Sequence, residues 1–298
     1  MTMHLFGAVL TAKGTAANNR GEVEGTASTL QKIIRNGEIY STVSAEAIRY
    51  ALREGWQEDS SLTVNRKVLS HRGVELQDRE FKGWKDNIDD DILGFMHARK
   101  ETVSRRGVLE VTRAISTTPW NGELSHNFAS PGANPIGNKD PIPYAVEEHH
   151  TRYQYGFAMT PDAIEKDKGV RVEKTLLGIQ NLRRVAGNHA RFLFDFSPEV
   201  IVLRWTLDPA PRMLLCFDED ERGAISLARL VSRTKGEVPD IAASELTIGC
   251  ALANVEGLGE LRAAGAKVCD GVKEAVSVII DRARQHFSAT AKGGAKGR

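Results

Sequence analysis

The chain has few cysteines, few aromatic side chains and no long apolar stretch. Its three cysteines, Cys216, Cys250 and Cys269, are widely spaced and form no CxxC pair, so neither a disulfide framework nor a cysteine zinc site is indicated. We expect free thiols in a reducing compartment. No apolar run has the length of a membrane helix, and no signal peptide is visible. These absences predict a soluble protein of the cytoplasm.

The chain also lacks a large net charge of either sign. Its 40 basic and 39 acidic residues give a formal charge of +1 over 298 residues, a length that suits one elaborated domain or two small ones. Any surface for nucleic acid must then be a local patch. Residues 99–113 carry five basic and two acidic side chains, a local charge of +3, and residues 282–298 carry basic side chains without an acidic one.

Signatures of catalysis are missing as well. The segment Gly257-Leu258-Gly259 is not a dinucleotide fingerprint, because Arg262 stands at the third glycine position. No P-loop, nucleophile elbow or HExxH motif occurs, and nothing points to a Ser–His–Asp triad. The sequence gives no positive sign of an enzyme.

Two clusters contain side chains that can bind a metal. Asp89-Asp90-Asp91 offers carboxylates for a divalent cation, and residues 147–150 (EEHH) offer ligand types for zinc. No second set of oxygen ligands accompanies the aspartates, and adjacent side chains of a strand diverge. An acidic run before an apolar segment is more often a solvated turn or the start of a helix. We therefore expect no metal and no other cofactor.

Arginines recur in polar surroundings through the first part of the chain. The turn Asn18-Asn19-Arg20-Gly21 closes the first predicted strand, and Arg49 and Arg53 follow on one face of a predicted helix. Arg105-Arg106-Gly107 opens another strand, where the glycine allows a phosphate to approach the backbone. These cations suit an extended polyanion. The alternatives are a solvated helix face with a Glu46–Arg49 pair, and an exposed strand end.

The helix that carries Arg49 and Arg53 has boundaries that the sequence predicts. Ser44 is a good N-cap, and Glu46 favours the first turn because it meets the positive end of the helix dipole. Gly55 stands where a C-terminal stop is expected. The expected buried stripe comprises Ala45, Ile48 and Leu52.

Residues 119–143 contain five of the ten prolines, so they cannot be a helix and are too long for an ordinary connection. Their aromatic and imidazole content favours a projecting loop or hairpin that touches a partner; the side chains in question are Trp120, His126, Phe128 and the adjacent Tyr144. In the strand before them, residues 106–117, Arg113 falls on the apolar side with Leu109, Val111 and Ile115. Cations for the backbone and aromatic groups for bases are typical of proteins that bind single strands.

The coarse order of elements predicts an α+β sandwich, with helices on one face of a mainly antiparallel sheet. Residues 3–12, apolar on both alternating faces, predict a strand inside the sheet. Further strands are expected at 152–159, 192–194 and 201–205. Amphipathic helices are expected from Val172 to a stop at Gly187 and over 268–283, followed by a flexible basic tail at 288–298.

Several motifs, taken in order, resemble the DevR-type CRISPR-associated backbone subunit of type I interference complexes (Cascade). They are the first strand running into NNRG, TASTLQKI (26–33), VSAEAIRYALREGW (43–56), DDDILGFM (89–96), RRGVLEVTRAIST (105–117), YQYGFAMTPD (153–162) and NHARFLFDFSPEVIVLR (188–204). The resemblance covers about residues 3–207, and the C-terminal third is less distinctive.

The resemblance implies a single modified RNA-recognition-motif (ferredoxin-like) palm over residues 1–298, with inserted fingers at 56–90 and a projecting thumb at 118–150. It implies an RNA path lined by Asn19, Arg20, Ser44, Arg49, Arg53, Arg105 and Arg106. The residue pattern adds Asn18, Arg113, Trp120, His126 and Phe128 as predicted RNA contacts.

The leading hypothesis is a non-catalytic subunit that binds the CRISPR RNA along its backbone, forms a helical filament and presents guide segments for pairing with target DNA. The resemblance implies as partners other copies of the chain, the large PAM-reading subunit, the small subunits and the subunit that binds the 5′ handle, but no membrane. The alternative is a metal-dependent ribonuclease that uses Asp89 to Asp91. A transcriptional regulator is a third option, although no helix-turn-helix spacing is evident.

Overall fold

A computed structural model describes residues 2–17, 19–24, 27–69, 73–98, 103–129, 141–186 and 193–294, with backbone only at 19–24, 129 and 290–294. The helices are α1 (Ala45–Glu58), α2 (Ile88–Leu93), α3 (Lys168–Gln180), α4 (Ala228–Arg233), α5 (Leu258–Ala263) and α6 (Val272–Gly294). None of the helices in these ranges combines the length and the apolar character needed to cross a membrane.

Short strands are numerous in the described ranges. They are β1 (His4–Thr11), β2 (Gly14–Ala16), β3 (Asn19–Glu24), β4 (Ala27–Leu30), β5 (Lys32–Arg35), β6 (Glu38–Val43), β7 (Arg66–Val68), β8 (Val74–Leu76), β9 (Phe95–His97), β10 (Val103–Arg105), β11 (Leu109–Val111), β12 (Ala114–Ser116), β13 (Leu124–Ala129), β14 (Ile142–Glu147), β15 (His149–Thr151), β16 (Tyr153–Met159), β17 (Pro198–Thr206), β18 (Asp218–Glu219), β19 (Ile225–Ser226), β20 (Leu246–Cys250) and β21 (Lys267–Cys269).

The largest sheet within the described ranges has nine strands, in the order β21-β20-β17-β1-β16-β12-β6-β5, with β11 also paired to β16. Its pairs are antiparallel except for β20 with β21. At its centre β1 lies between β16 and β17. The elements β1, α1, β11 with β12, β16, α3 and β17 follow one another along the chain as β-α-β-β-α-β. The structure thus confirms a mixed α+β fold with a mainly antiparallel sheet.

Both faces of this sheet are covered, whereas the sequence predicted helices on one face only. Leu5 and Val9 of β1 pack on one side with α1, α3 and α6. Phe6, Ala8 and Leu10, which alternate with them, pack on the other side with α4 and α5. The second helical layer escaped prediction because α4 and α5 have six residues each, too few for a clear helical period.

Helix α1 begins as predicted but does not end at Gly55. The Ser44 side chain accepts a hydrogen bond from the Ala47 backbone N–H at 3.2 Å, which makes it the N-cap. The helix continues through Gly55 to Glu58, because Trp56 is 2% exposed in the core and its Nε1 donates to the Lys174 carbonyl at 3.2 Å. Tertiary burial of the indole outweighs the helix penalty of glycine, about 1 kcal/mol.

The strand predicted over 106–117 is interrupted by a bulge. Val111 pairs with Phe157, but Ile115 pairs with Gln154, so three residues of one strand face two of the other. The extra residue reverses the alternation of faces. Ala114 therefore occupies the core position expected for Ile115, and Arg113 is exposed instead of lying on the apolar side.

Other boundaries also differ from the sequence prediction. Residues 193 and 194 form no strand, because the Phe194 ring packs into the core against Tyr153 and Phe196 while β17 pairs with β1 and β20. Helix α3 ends at Gln180, and Gly187 lies outside the described residues. Residues 288–294 continue helix α6 instead of forming the predicted tail, and the rest of that tail, 295–298, is not described.

The acidic run is buried, not solvated. Asp89, Asp90 and Asp91 begin helix α2 as one alternative predicted, but all three are 0% exposed. Asp89 accepts from the backbone N–H groups of Asn65 at 2.7 Å and Arg66 at 3.0 Å. We call these aspartates and their arginine partners the carboxylate network.

Asp90 and Asp91 have separate partners in the network. Asp90 accepts from Arg66 Nη1 at 2.9 Å and Asn65 Nδ2 at 2.8 Å. Asp91 is paired with Arg105 and with the buried Arg171. Burial, and then the neighbouring Asp89 carboxylate, raise the pKa of Asp90 to about 6.

Two glycine substitutions should change stability in opposite directions, one through helix propensity and the other through backbone conformation and close approach. Gly55→Ala adds a methyl group within α1 with nothing within 4 Å, so we expect the free energy of unfolding to rise by about 1 kcal/mol. Gly94 has φ 71° and ψ 173°, a region nearly reserved for glycine, and a Cβ there would lie 2.4 Å from the Arg105 carbonyl oxygen. Gly94→Ala should therefore cost about 1–3 kcal/mol from backbone conformation alone. Denaturant unfolding of both variants measures this, and equal effects of the same sign would contradict it.

Asp90 should titrate near pH 6 in the folded protein. Because its folded pKa lies above the unfolded value of about 4, its stabilising contribution is fully present below pH 4 and is lost as the pH rises through 6. Carboxyl ¹³C shifts against pH measure the midpoint. Asp59, whose pKa the Lys174 and Ser61 hydrogen bonds lower to about 2, is the control in the same spectra. An Asp90 midpoint below 4 would overturn the assignment.

Candidate nucleic-acid interface

The strand of Asn19 and Arg20 and the proline-rich segment belong to one small sheet. Strands β13, β14, β4 and β3 form a four-stranded sheet in that order, which we call the arm sheet. β13 and β14 pair antiparallel, so the described part of the proline-rich segment is a hairpin. β3, which contains Asn19 and Arg20, lies at the opposite edge through its pairing with β4. Ala145 on β14 pairs with Ala27 on β4, so the arm sheet joins segments that lie far apart in the chain.

A stripe of exposed side chains follows edge strand β13. Leu124, His126 and Phe128 alternate along the strand and therefore point to one side of it. Leu124 is 46% and Phe128 70% exposed, and His126 is also exposed. Large apolar groups held open on a strand surface can stack or wedge against bases.

Arg113 lies close to the base of the arm sheet. It is exposed, and its Nη1 donates to Thr42 Oγ1 at 3.1 Å. The Thr42 backbone N–H in turn donates at 2.7 Å to the carbonyl of Gln31, the residue that joins β4 to β5. A hydroxyl does not neutralise a guanidinium, so the positive charge of Arg113 is available to a phosphate.

Arg49 and Arg53 are directed toward helix α2. Arg49 Nη2 donates to the Leu93 carbonyl, and Arg53 Nε lies 3.4 Å from Asp89 Oδ2. Burial lowers the pKa of both guanidiniums. Through these contacts the two arginines link α1 to α2.

Arg105 and Arg106 differ sharply in their surroundings. Arg105 is paired with Asp91, donates to the Ala163 carbonyl at 2.9 Å and stacks 4.4 Å above the Trp84 ring. Arg106 has an 87% exposed side chain whose one charged contact among the described residues is Glu110, also exposed. A pair between two exposed groups is weak, so Arg106 can exchange Glu110 for a phosphate.

Gly107 serves a packing need that sequence reasoning missed. A Cβ at this position would lie 2.6 Å from the Leu93 carbonyl oxygen, because the chain crosses the end of α2 there. The small residue after the two arginines is therefore required by a backbone crossing, and no phosphate needs to be invoked.

Ser44 and Trp120 also have structural partners. Ser44 is the N-cap of α1 and is 3% exposed. Trp120 Nε1 donates to the Glu148 carbonyl at 2.8 Å, and one face of the ring carries Lys32 Nζ at 4.1 Å from the centroid. Asn18 lies outside the described residues, and for Asn19 and Arg20 the structure gives the strand but not the side chains.

One Ser–His pair in the described residues has the spacing of a catalytic pair, but it is buried. Ser41 Oγ lies 2.7 Å from His149 Nδ1, a spacing that suits a nucleophile and its base, but Ser41 is 0% and His149 2% exposed. Burial lowers the pKa of His149 to about 4, and its Nε2 faces Thr118 at 3.3 Å rather than a carboxylate. The pair is a buried structural link and is closed to a substrate.

The two clusters considered for metal binding are occupied by protein groups. The carboxylate network uses Asp89 to Asp91, and the side chains of residues 147–150 diverge as expected for a strand: Glu147 meets Lys32, His149 meets Ser41 and His150 meets Thr15. Across the described ranges, no three His, Cys, Asp or Glu side chains are placed to hold a metal ion.

Some residues that shape this region were missed from the sequence. The Asn36-Gly37 turn has positive φ at both positions, the signature of a tight hairpin, and it joins β5 to β6. Leu124 completes the stripe with His126 and Phe128, and its alternation with them was a usable signal. No local sequence pattern indicates the roles of Lys32 and Arg171, because their partners lie more than 75 residues away in the chain.

Known proteins resemble this chain in sequence. Residues 9–188 match the family model described as CRISPR-associated negative auto-regulator DevR/Csa2. A relative from Myxococcus xanthus (strain DK1622), "CRISPR-associated protein Cas7/Cst2/DevR", is 46% identical over 278 residues, which cover 87% of this chain and 89% of the relative.

Solved structures share the fold at low sequence identity. A chain of a "CRISPR RNA-guided surveillance complex" superposes with a TM-score of 0.61 at 14% identity, covering 94% of this chain and 99% of that one. A chain of a "CRISPR RNA-guided surveillance complex, pre-nicking" gives 0.60 at 12% identity, covering 94% and 100%. The matched family model and the Myxococcus relative show that the chain belongs to the DevR/Csa2 family of CRISPR-associated proteins.

Proposed function

We propose that this chain is a non-catalytic backbone subunit of a type I Cascade complex. It binds the CRISPR RNA along the sugar-phosphate backbone and self-associates into a helical filament that leaves guide segments free to pair with target DNA. The family membership supports this assignment, and the solved surveillance complexes with the same fold agree with it.

The observation that carries the proposal is the exposed stripe of Leu124, His126 and Phe128 on β13. It shares the arm sheet with the strand of Asn19 and Arg20, and the charged Arg113 lies near its base. An apolar edge beside separate cations is suited to a single strand, because the cations hold phosphates while the apolar groups separate or stack bases.

On the basis of these contacts, we propose two groups among the predicted RNA residues. We propose Asn19, Arg20, Arg106, Arg113, His126 and Phe128 as RNA contacts, together with Leu124. Arg49, Arg53 and Arg105 support the path indirectly, because they hold helix α2 and the backbone crossing at Gly107 in place. Ser44 and Trp120 likewise act through the structure. Asn18 stays a prediction.

The central elements also fit the expected architecture. The β-α-β-β-α-β order with β1 between β16 and β17 is that of a ferredoxin-like unit, which supports the proposal of a modified RNA-recognition-motif palm. The β7–β8 hairpin lies in the proposed fingers, 56–90, and the β13–β14 hairpin in the proposed thumb, 118–150. The arm sheet extends that thumb to include β3 and β4.

The proposed partners are those of an interference complex: CRISPR RNA, target DNA through the guide, further copies of this chain, the large PAM-reading subunit, the small subunits and the subunit at the 5′ handle. The site of action would be the cytoplasm. The three cysteines, free and buried, are compatible with its reducing conditions.

RNA binding should depend on the stripe and on Arg113. The triple variant Arg113→Ala, His126→Ala, Phe128→Ala removes a phosphate contact and the stacking groups, so we expect affinity for a single-stranded guide RNA to fall by tenfold or more, at about 1–3 kcal/mol per stacked base. Arg113→Ala alone should lower the salt slope of log K by about 0.7. Fluorescence anisotropy at several salt concentrations measures both.

Arg233→Ala provides the matched control, because Arg233, at the end of helix α4, is also an exposed arginine but pairs with Asp240. The affinity of the Arg233→Ala variant for the guide RNA should equal that of the parent protein. Equal affinity of the triple variant and the parent would contradict the proposed interface, and a parent that purifies without RNA from cells supplying a guide would contradict the function.

The ribonuclease alternative predicts cleavage that depends on Mg²⁺ and on Asp89 to Asp91. Since these carboxylates are buried and occupied by arginines and backbone N–H groups, we expect full-length RNA after prolonged incubation with or without Mg²⁺. Gel analysis of labelled guide and target RNA tests this. Cleavage that disappears in Asp91→Asn would favour the enzyme instead.

A further inference from the structure

The arm sheet is fastened to the edge of the nine-stranded sheet by three side chains from distant parts of the chain. Lys32 Nζ on β5 donates to both carboxylate oxygens of Glu147, at 2.7 and 2.6 Å. The same ammonium lies 4.1 Å from the centroid of the Trp120 ring. We call Lys32, Glu147 and Trp120 the clamp.

The ion pair of the clamp is largely shielded from solvent. The side chains of Lys32 and Glu147 are 26% and 12% exposed, so this ion pair is screened less than a surface pair. Glu147 Oε2 also accepts from the Leu30 backbone N–H at 2.7 Å. One carboxylate therefore holds the ends of β4 and β14 and the start of β5 together.

Trp120 completes the attachment from the other side. Its backbone N–H donates at 2.7 Å to the Ile39 carbonyl on β6, and its Nε1 donates at 2.8 Å to the Glu148 carbonyl just beyond β14. Trp120 thus links β6 of the nine-stranded sheet to the end of the arm sheet, through its backbone N–H on one side and its indole on the other. With one face under Lys32 and the N–H engaged, the ring is better suited to this bridge than to stacking on a base.

We propose that the clamp sets the direction in which the arm sheet leaves the nine-stranded sheet, and that Lys32, Glu147 and Trp120 are positioning residues for the RNA contacts on β13. This inference rests on the proposed function, because a stripe that must meet RNA at regular intervals in successive copies requires a fixed arm. The clamp acts at the base of the arm and touches no RNA itself.

Substitutions in the clamp can change its charge and its shape separately. Lys32→Ala removes the ammonium and leaves Glu147 without its cation, whereas Lys32→Arg keeps a cation that can bind the carboxylate and lie over the indole. Glu147→Gln keeps the shape of the side chain but removes its charge. If the clamp acts through its charges, Lys32→Arg should keep it and Glu147→Gln should disrupt it. If it acts through packing alone, Glu147→Gln should leave it intact.

Distances between spin labels test the clamp without RNA. Labels at Glu58→Cys, on the end of α1, and Ile142→Cys, on β14, occupy exposed positions, while the native cysteines are buried. Double electron–electron resonance should give one narrow distance distribution in the otherwise unaltered protein and in Lys32→Arg. Broadening is expected in Lys32→Ala and Glu147→Gln. A second pair, Glu58→Cys with Asp281→Cys on α6, should stay narrow throughout, which excludes general unfolding.

The RNA experiment adds a functional measure. Lys32→Ala should bind a short oligonucleotide as the parent does, because the proposed RNA contacts are intact, but should lose the regular protection pattern on a long guide RNA; Lys32→Arg should restore it. Narrow distributions in both Lys32→Ala and Glu147→Gln would overturn the clamp. Failure of the parent to bind RNA would instead overturn the proposed function, while the distance measurements would still decide the clamp.

Discussion

Three adjacent carboxylates without solvent access impose the strongest constraint on this fold. A buried carboxylate is stable only when cations and hydrogen-bond donors surround it. Asp89, Asp90 and Asp91 therefore draw arginines from α1, β7, β10 and α3 to one place. The same demand fixes α2 against the sheet and brings the chain so close at Gly94 and Gly107 that neither has room for a Cβ.

The same constraint bears on the proposed RNA interface. The guanidiniums of the carboxylate network are already paired with carboxylates, so the proposed RNA contacts are cations outside it. Arg106 and Arg113 meet that condition, and the arm sheet carries the apolar stripe on one edge strand and Arg20 on the other. A formal charge of +1 is compatible with such a local surface, because a patch of exposed cations does not require a large net charge.

Local patterns were reliable where local forces dominate. The alternation in β1, the Ser44 cap and the hairpin character of the proline-rich segment followed from periodicity, capping and turn chemistry. Prediction failed where distant residues intervene: Trp56 carries α1 past Gly55, a bulge turns Arg113 outward, and the burial of the aspartates reverses the expectation of a solvated run. At Gly55 the burial of Trp56 outweighed a helix penalty of about 1 kcal/mol, and in all three cases tertiary context overrode a local preference.

The sequence by itself determined the family, the mixed α+β class and the presence of arginine-bearing motifs with an aromatic hairpin, because these depend on residue order and local spacing. Only the tertiary structure decided which of the arginines are exposed, that β3 and β13 share one sheet, and that Trp120 lies under Lys32. The physical reason is that charge availability depends on burial and on partners. Both are set by residues that meet only after the chain has folded.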